Sequence, residues 1–193
     1  IISGPTAHHF LAVSDSGTAY GWGRNEKGQV GTGDYQNRYE PTPLKFGSEV
    51  VKGGAFSATH SVVYTQTGLC FVWGTNSSCE LGVGMRSSVL APKENPNLSS
   101  VVSCSAGKGF SVFVTSGGDI YSCGQSEHGV LGHGTEGKTL EKAGKFTFAI
   151  EKTPMLIAGL RDEDIVAVAS GQRHTVAMDF EGRLWSWGFN GYG

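Results

Sequence analysis

Four short runs of alternating apolar and small residues recur along the chain: Gly-Thr-Ala-Tyr-Gly-Trp-Gly at 17–23, Gly-Leu-Cys-Phe-Val-Trp-Gly at 68–74, Gly-Asp-Ile-Tyr-Ser-Cys-Gly at 118–124 and Gly-Arg-Leu-Trp-Ser-Trp-Gly at 182–188. A second apolar run precedes each, starting 14 residues before the closing Gly at His9, His60, Phe110 and His174. Two apolar runs joined by a Gly turn read as a β-hairpin. In the second strand of each hairpin the two-residue period puts Tyr20 and Trp22, Phe71 and Trp73, Tyr121 and Cys123, and Trp185 and Trp187 on one face, with Ala19, Cys70, Ile120 and Leu184 on the other. Both faces are apolar, so the pattern predicts strands sandwiched between neighbouring sheets.

The spacing carries the argument further. Closing glycines fall 51, 50 and 64 residues apart, Asn25, Asn76, Ser126 and Asn190 follow two residues later, and glycine pairs stand in register at 31/33, 82/84 and 132/134. A unit of about 50 residues made of strands and Gly turns is the pattern of propeller blades packed around an axis, an arrangement that also hides sheet edges. The predicted fold is therefore all-β, with repeats at 2–50, 51–101, 102–165 and an incomplete 166–193, and an insert at 135–152 in the third.

Composition agrees with that reading and removes others. Thirty Gly in 193 residues, with only 17% charged residues, oppose a helical bundle, because each interior Gly costs a helix about 1 kcal/mol relative to Ala. A hydrophobic share of 38% is enough for a core. The net charge of −2 offers no basic excess for phosphate backbones, which disfavours direct nucleic-acid binding. No run of about 18 apolar residues is present to cross a bilayer, so no membrane partner is expected. Cys70, Cys79, Cys104 and Cys123 match no paired Cys-x-x-Cys spacing and read as buried free thiols in a reducing compartment.

The candidate chemistry is sparse. His9, His60 and His174 share one repeated slot, one per blade, and read as structural imidazoles bonded to neighbouring backbone rather than as metal ligands. His8, His128 and His133 lie off the slot and read as solvated loop residues. Gly28-Gln29-Val30-Gly31-Thr32-Gly33 lacks the strand-then-helix setting of a phosphate loop, and its glycine pair recurs in other copies, so it reads as a turn device. Asn76-Ser77-Ser78 and Asn97-Leu98-Ser99 fit a glycosylation sequon without a visible secretory route. No Gly-x-Ser-x-Gly elbow or framed carboxylate pair occurs, so no catalytic residue, cofactor or metal is assigned and the chain is not read as an enzyme.

The run Trp22-Gly23-Arg24-Asn25-Glu26-Lys27-Gly28-Gln29-Val30-Gly31-Thr32-Gly33, with Gly171-Gln172-Arg173-His174-Thr175 and Trp187-Gly188-Phe189-Asn190, resembles the regulator of chromosome condensation repeat. Segments 22–31, 148–153 and 185–193 look most like the family's telophase-disk branch. The resemblance implies a seven-bladed ring when complete, of which just under four blades are present here. His9, His60, His174, Trp22, Trp73, Trp187, Asn25, Asn76 and Asn190 would be its structural repeat positions. It also implies regulation of a small GTPase, with guanine-nucleotide exchange, linked to chromosome condensation or mitosis in the nucleus or cytoplasm. The alternative is a scaffold that binds chromatin through histones, or microtubules, without exchange. Plant ultraviolet-receptor members carry Trp in the Gly-Trp-Arg-His-Thr motif, where this chain has Gln172, which argues against photoreception.

Scaffold positions repeat, so function is expected where the copies differ. Arg24, Glu26 and Lys27 in the first loop are candidate partner contacts, as are the corresponding loops 75–78, 125–128 and 189–192. In the insert, Phe146, Phe148 and Ile150 alternate with Thr147 and Ala149 beside Lys138, Lys142, Lys145 and Lys152, a pattern that predicts a protruding hairpin. It serves either as a partner-binding wedge with Phe146 and Phe148 as anchors or as a solvated connection. A complete ring needs about 350 residues at 50 per blade, so the open ends of a fragment are expected to expose apolar blade faces and to favour self-association.

Overall fold

A computed structural model of the chain describes residues 1–140 and 145–191. The architecture is all-β, arranged as four antiparallel sheets. The first contains β1 (His9–Val13), β2 (Ala19–Gly23) and β3 (Arg38–Pro43), and the second β4 (Val51–Phe56), β5 (His60–Thr65), β6 (Cys70–Gly74) and β7 (Val89–Glu94). The third joins β8 (Val101–Ala106), β9 (Phe110–Thr115), β10 (Ile120–Gln125) and β13 (Ile150–Leu156), and a separate ribbon pairs β11 (Thr139–Leu140) with β12 (Phe146–Thr147). The fourth holds β14 (Ile165–Ser170), β15 (His174–Asp179) and β16 (Leu184–Gly188). Each repeated apolar pair forms the expected hairpin, in identical register: His9 opposite Gly23, His60 opposite Gly74, Phe110 opposite Gly124 and His174 opposite Gly188.

These sheets are propeller blades, and the core lies between them in three layers. Leu11, Ala19, Phe46, Phe56, Val63, Phe71 and Trp73 fill the first seam. Val62, Cys70, Val72, Leu81, Cys104, Phe113 and Cys123 fill the second. Phe110, Val112, Val114, Ile120, Leu131, Ile165 and Ala177 fill the third. Adjacent residues of one strand, such as Val62 and Val63, serve opposite seams, as the two-residue period requires. The sandwiched-strand expectation holds for β6 and most of β10 and fails at the two ends. Trp22 on β2 is only half-buried, and on β16 Leu184 is 69% exposed, because each of those blades has a described neighbour on one side alone.

The closing glycine of each hairpin is set by backbone approach. At Gly74, where φ is +103°, a Cβ would stand 2.5 Å from the Thr59 carbonyl oxygen and 2.7 Å from His60 Cα. The ladder to the next strand also shifts register there, between Val72 and Gly74, which is a β-bulge that bends the outer strand. The four thiols are buried and free, and burial pushes that of Cys104 up to about 12.

Trp73 is fully buried at the first seam and touches groups of two blades. Trp73→Ala is expected to lower unfolding free energy by about 3–5 kcal/mol. Urea unfolding measures it, and a loss below about 1 kcal/mol would show that the seam is not what holds these blades together.

Candidate functional site

The repeated histidines are fasteners between blades. The His9 Nε2 lies 2.6 Å from Ser61 Oγ of the next blade, and the His60 Nε2 lies 2.9 Å from Ser111 Oγ of the blade after that. Each serine hydroxyl donates to a backbone carbonyl of the preceding blade, Ser61 to Gln29 at 2.8 Å and Ser111 to Glu80 at 2.7 Å. With its hydrogen so used, the serine oxygen accepts from the imidazole, which fixes the neutral Nε2–H tautomer. The second ring nitrogen of His60 then accepts from Ser57 Oγ at 2.7 Å. His9 Nδ1 is, among the described residues, the buried side-chain polar atom without a partner.

Both carbonyls take a second donor, Trp73 Nε1 at 2.7 Å on Gln29 O and Cys123 Sγ at 3.5 Å on Glu80 O, while at the third seam Trp187 Nε1 donates to Val130 O at 2.9 Å. The expectation that the imidazoles bond neighbouring backbone is thus corrected: the link runs through a serine side chain to backbone of the histidine's own blade. The sequence held a signal for it, since Ser61, Ser111 and Thr175 follow the histidine slot while Phe10 occupies that position in the first copy. Where Phe110 replaces histidine, Thr175 Oγ1 instead lies 3.0 Å from Ser170 Oγ, which in turn meets Ser105 Oγ at 2.6 Å. His174 and Asn190, at the same slots in the fourth blade, are exposed.

Burial depresses both fastener histidines to about 3, with His60 and His8 adding repulsion at His9. Two of the off-slot histidines also depart from the solvated reading. His133 is half-buried with Nε2 2.9 Å from Ser122 Oγ, and His128 lies against Phe189 at 4.7 Å between ring centres, whereas His8 is exposed.

The repeat asparagines clasp the rim loops that carry the candidate contacts. Asn25 Oδ1 accepts from Val30 N at 2.9 Å while its Nδ2 donates to Asp34 O at 2.9 Å. Asn76 does the same with Leu81 N at 2.9 Å and with the carbonyls of Met85 and Ser87. Both asparagines are fully buried, which closes Asn76 to glycosylation. In the third copy Ser126 Oγ donates to Glu136 O at 2.5 Å. Above the first clasp Arg24 and Glu26 form an exposed ion pair at 2.5 Å, and Lys27 points its exposed side chain from the same loop.

The insert emerges on that same rim, between β10 and β13. Its ribbon is shorter than the alternation predicted, with Phe146–Thr147 opposite Thr139–Leu140. Lys138 Nζ sits 4.5 Å from the centre of the Phe146 ring, and Phe146 is 54% exposed. Phe148 is half-buried and lines a crevice with Arg86 and Gln125, while Lys145 is exposed. Two assignments change. Ile150 and Lys152 belong to the blade's outer strand, where Lys152 O accepts from Gly84 N at 2.9 Å, rather than to the protrusion; Lys142 lies outside the described residues.

The comparisons with known proteins match this geometry. The sequence family described as regulator of chromosome condensation (RCC1) repeat matches residues 16–64, 67–114 and 117–178, and a second description of that repeat matches 165–193. The chain belongs to the RCC1 repeat family. Each family unit begins in one blade and ends in the next, so a unit such as 16–64 contains both sides of a seam. Relatives include Protein RCC2 homolog of Danio rerio, 34% identical over 100% of this chain and 42% of its own length, and Protein RCC2 of Homo sapiens, 33% identical over 100% and 40%. The chain thus spans about two fifths of those relatives. The crystal structure of yeast RCC1 (Prp20) bound to Kap60 superposes with a TM-score of 0.76 at 27% identity, covering 96% of this chain and 43% of that one. A structure of Saccharomyces cerevisiae Prp20p, described with its binding properties to Gsp1p and histones, gives 0.75 at 25%, covering 96% and 44%. Among the described residues no helix is long and apolar enough to cross a membrane, and no group of three or more His, Cys, Asp or Glu is placed to hold a metal ion.

A histidine held near 3 when folded and near 6.5 when unfolded contributes stability that is complete above about pH 6.5 and is lost as the pH falls toward 3, because only the unfolded chain takes up the proton in that window. Each fastener is expected to steepen the loss by about 1.4 kcal/mol per pH unit. Urea unfolding between pH 7 and 4 should show the decline, and His60→Phe, the residue that the third copy carries at the slot, should flatten it by about one proton. An unchanged slope would remove His60 from the account.

Proposed function

We propose that the chain is part of a protein-interaction propeller that regulates a small GTPase as a guanine-nucleotide exchange factor linked to chromosome condensation or mitosis, working in the nucleus or cytoplasm. The observation that carries this reading is the insert, where the rim departs from the repeat and raises an exposed Phe146, with Lys138 and Lys145, above a scaffold whose hairpins recur from blade to blade. Aromatic residues backed by cations are the residue types that anchor protein interfaces. Arg24, Glu26 and Lys27, on the same rim, supply a second contact, with Lys142, Phe148 and Lys152 around the insert. Prp20p, described with binding to Gsp1p and histones, supports a protein partner for this kind of ring.

Exchange requires no acid, base or metal on the propeller. A partner that binds the nucleotide-free GTPase more tightly than the loaded form weakens nucleotide affinity by the same factor. The test is release of a fluorescent nucleotide from a panel of small GTPases. Phe146→Ala with Lys145→Glu is expected to lower partner affinity about tenfold or more with unchanged melting, and release equal to the spontaneous rate across the panel would refute exchange. The histone binding named for Prp20p favours one alternative, a chromatin scaffold, with microtubules as the related case. In that case histone or tubulin pull-down persists while nucleotide release stays at the spontaneous rate.

The uncovered side of the fourth blade, with Leu184 on β16 69% and Phe180 in the turn before it 82% exposed, is expected to drive self-association of this chain. Light scattering should report a mass above the monomer, reduced by Leu184→Lys, whereas a stable monomer would count against it.

A further inference from the structure

A cleft of about 230 Å³, lined mostly by residues of polar type, opens on the insert's rim where the loops of the second, third and fourth blades meet. Its walls include Thr59, Thr75, Lys108, Gln125, His128 and Arg173. Lys108 and Arg173 come from different blades and are brought together by backbone, since Lys108 N donates to Gln172 O at 2.9 Å and so sutures the loop 107–109 to the loop 171–173. Both side chains are exposed, and neither has a carboxylate within 4.0 Å among the described residues.

Two acidic groups, Glu80 and Glu127, also line the cleft. Glu80 is buried at the floor, accepts from Ser78 N at 2.7 Å and has its carboxyl pushed up by burial, while Glu127 faces His128 at 3.6 Å. An aromatic shelf flanks the cations, with Phe189 4.7 Å from the His128 ring and 5.9 Å from the Arg173 guanidinium. The volume is below the roughly 300 Å³ at which small-molecule and cofactor sites begin, and fits one or two side chains of a larger ligand. The net charge of −2 conceals a polarity: on the opposite rim Asp119, Asp162, Glu163, Asp164 and Glu181 outnumber Arg161 and Arg183, the latter paired with Glu163 and Glu181, so an anionic ligand is favoured less there than at this cleft.

We propose that this cleft is a docking site for a carboxylate-rich linear segment of a partner protein, with Lys108 and Arg173 receiving the carboxylates and the hydroxyls of Thr59 and Thr75 and the Gln125 amide completing their hydrogen bonds. Arg173 offers the paired donors that suit a carboxylate, and Lys108 a mobile point charge beside it. The site goes beyond the GTPase reading, because its two cations, Lys108 and Arg173, belong neither to the insert nor to the Arg24 loop nor to the equivalent loops 75–78 and 125–128, so their substitution tests it separately.

The experiment is fluorescence anisotropy with this chain and a labelled hexaglutamate peptide, with hexalysine as the control. Saturable binding of hexaglutamate is expected, weakening as salt rises from about 50 to about 300 mM, with none of hexalysine. Lys108→Glu with Arg173→Glu should weaken binding about tenfold or more, Lys108→Gln and Arg173→Gln less each, and Lys108→Arg little. The variants are exposed, and an unchanged urea midpoint shows that the fold persists. Absence of saturable hexaglutamate binding would overturn the proposal. So would binding that the cleft variants leave intact and Lys138→Glu with Lys145→Glu abolishes, which would assign the anion to the insert. Competition by inorganic phosphate at concentrations equal to the peptide's would make the site a phosphate site and overturn the peptide assignment.

Discussion

Everything in this molecule hangs on one seam hydrogen-bond arrangement, in which a backbone carbonyl of one blade receives donors from the next. Gln29 O takes Ser61 and Trp73, Glu80 O takes Ser111 and Cys123, and Val130 O takes Trp187. The blades share no strand ladder, and apart from single backbone bonds between rim loops, such as Lys108 N to Gln172 O, apolar contact alone would let neighbouring sheets slide. A directional bond between buried groups fixes their relative height, and its loss would leave a desolvated carbonyl without a partner. The histidine closes the loop by donating to the same serine, which joins three elements of two blades through one oxygen.

Because the seams are fixed, the rim loops become a rigid surface. Asn25 and Asn76 tie the loops from inside, and the suture from Lys108 to Gln172 carries that order across a blade boundary. Side chains from three blades therefore converge on a cleft, most of them from loops and Gln125 from the end of β10. The insert rises beside this surface, its Phe148 lining a crevice together with Arg86 of the neighbouring blade. The rim combines a repeated frame with unrepeated chemistry, which is the division of labour that suits a binding ring.

The hairpins, their register and the closing glycines were legible in the chain because each is a local effect. Alternation sets the strand face, and a backbone contact of 2.5 Å at Gly74 excludes a side chain. The buried thiols were legible too. The fasteners were half legible: the histidine slot was visible, but the serine that receives it lies 52 residues away from His9, and the meaning of a Ser after His appears only when blades are adjacent. The insert's apolar alternation ran on into Ile150, so pattern alone did not show where the ribbon ends and the blade's outer strand begins.

The amino-acid order by itself determined a blade: two apolar strands, a bulge at glycine, a clasped loop, copied with changes. Periodicity acts between neighbouring residues and the steric exclusion at the closing glycine acts within one hairpin, so both are written in the order of residues. Tertiary structure alone decided which carbonyl meets which hydroxyl, that His133 turns inward to Ser122, and that Lys108 and Arg173 share one cleft. Those pairings join groups from separate repeats or loops, and the distance between them is set by how whole sheets pack rather than by any spacing along the chain.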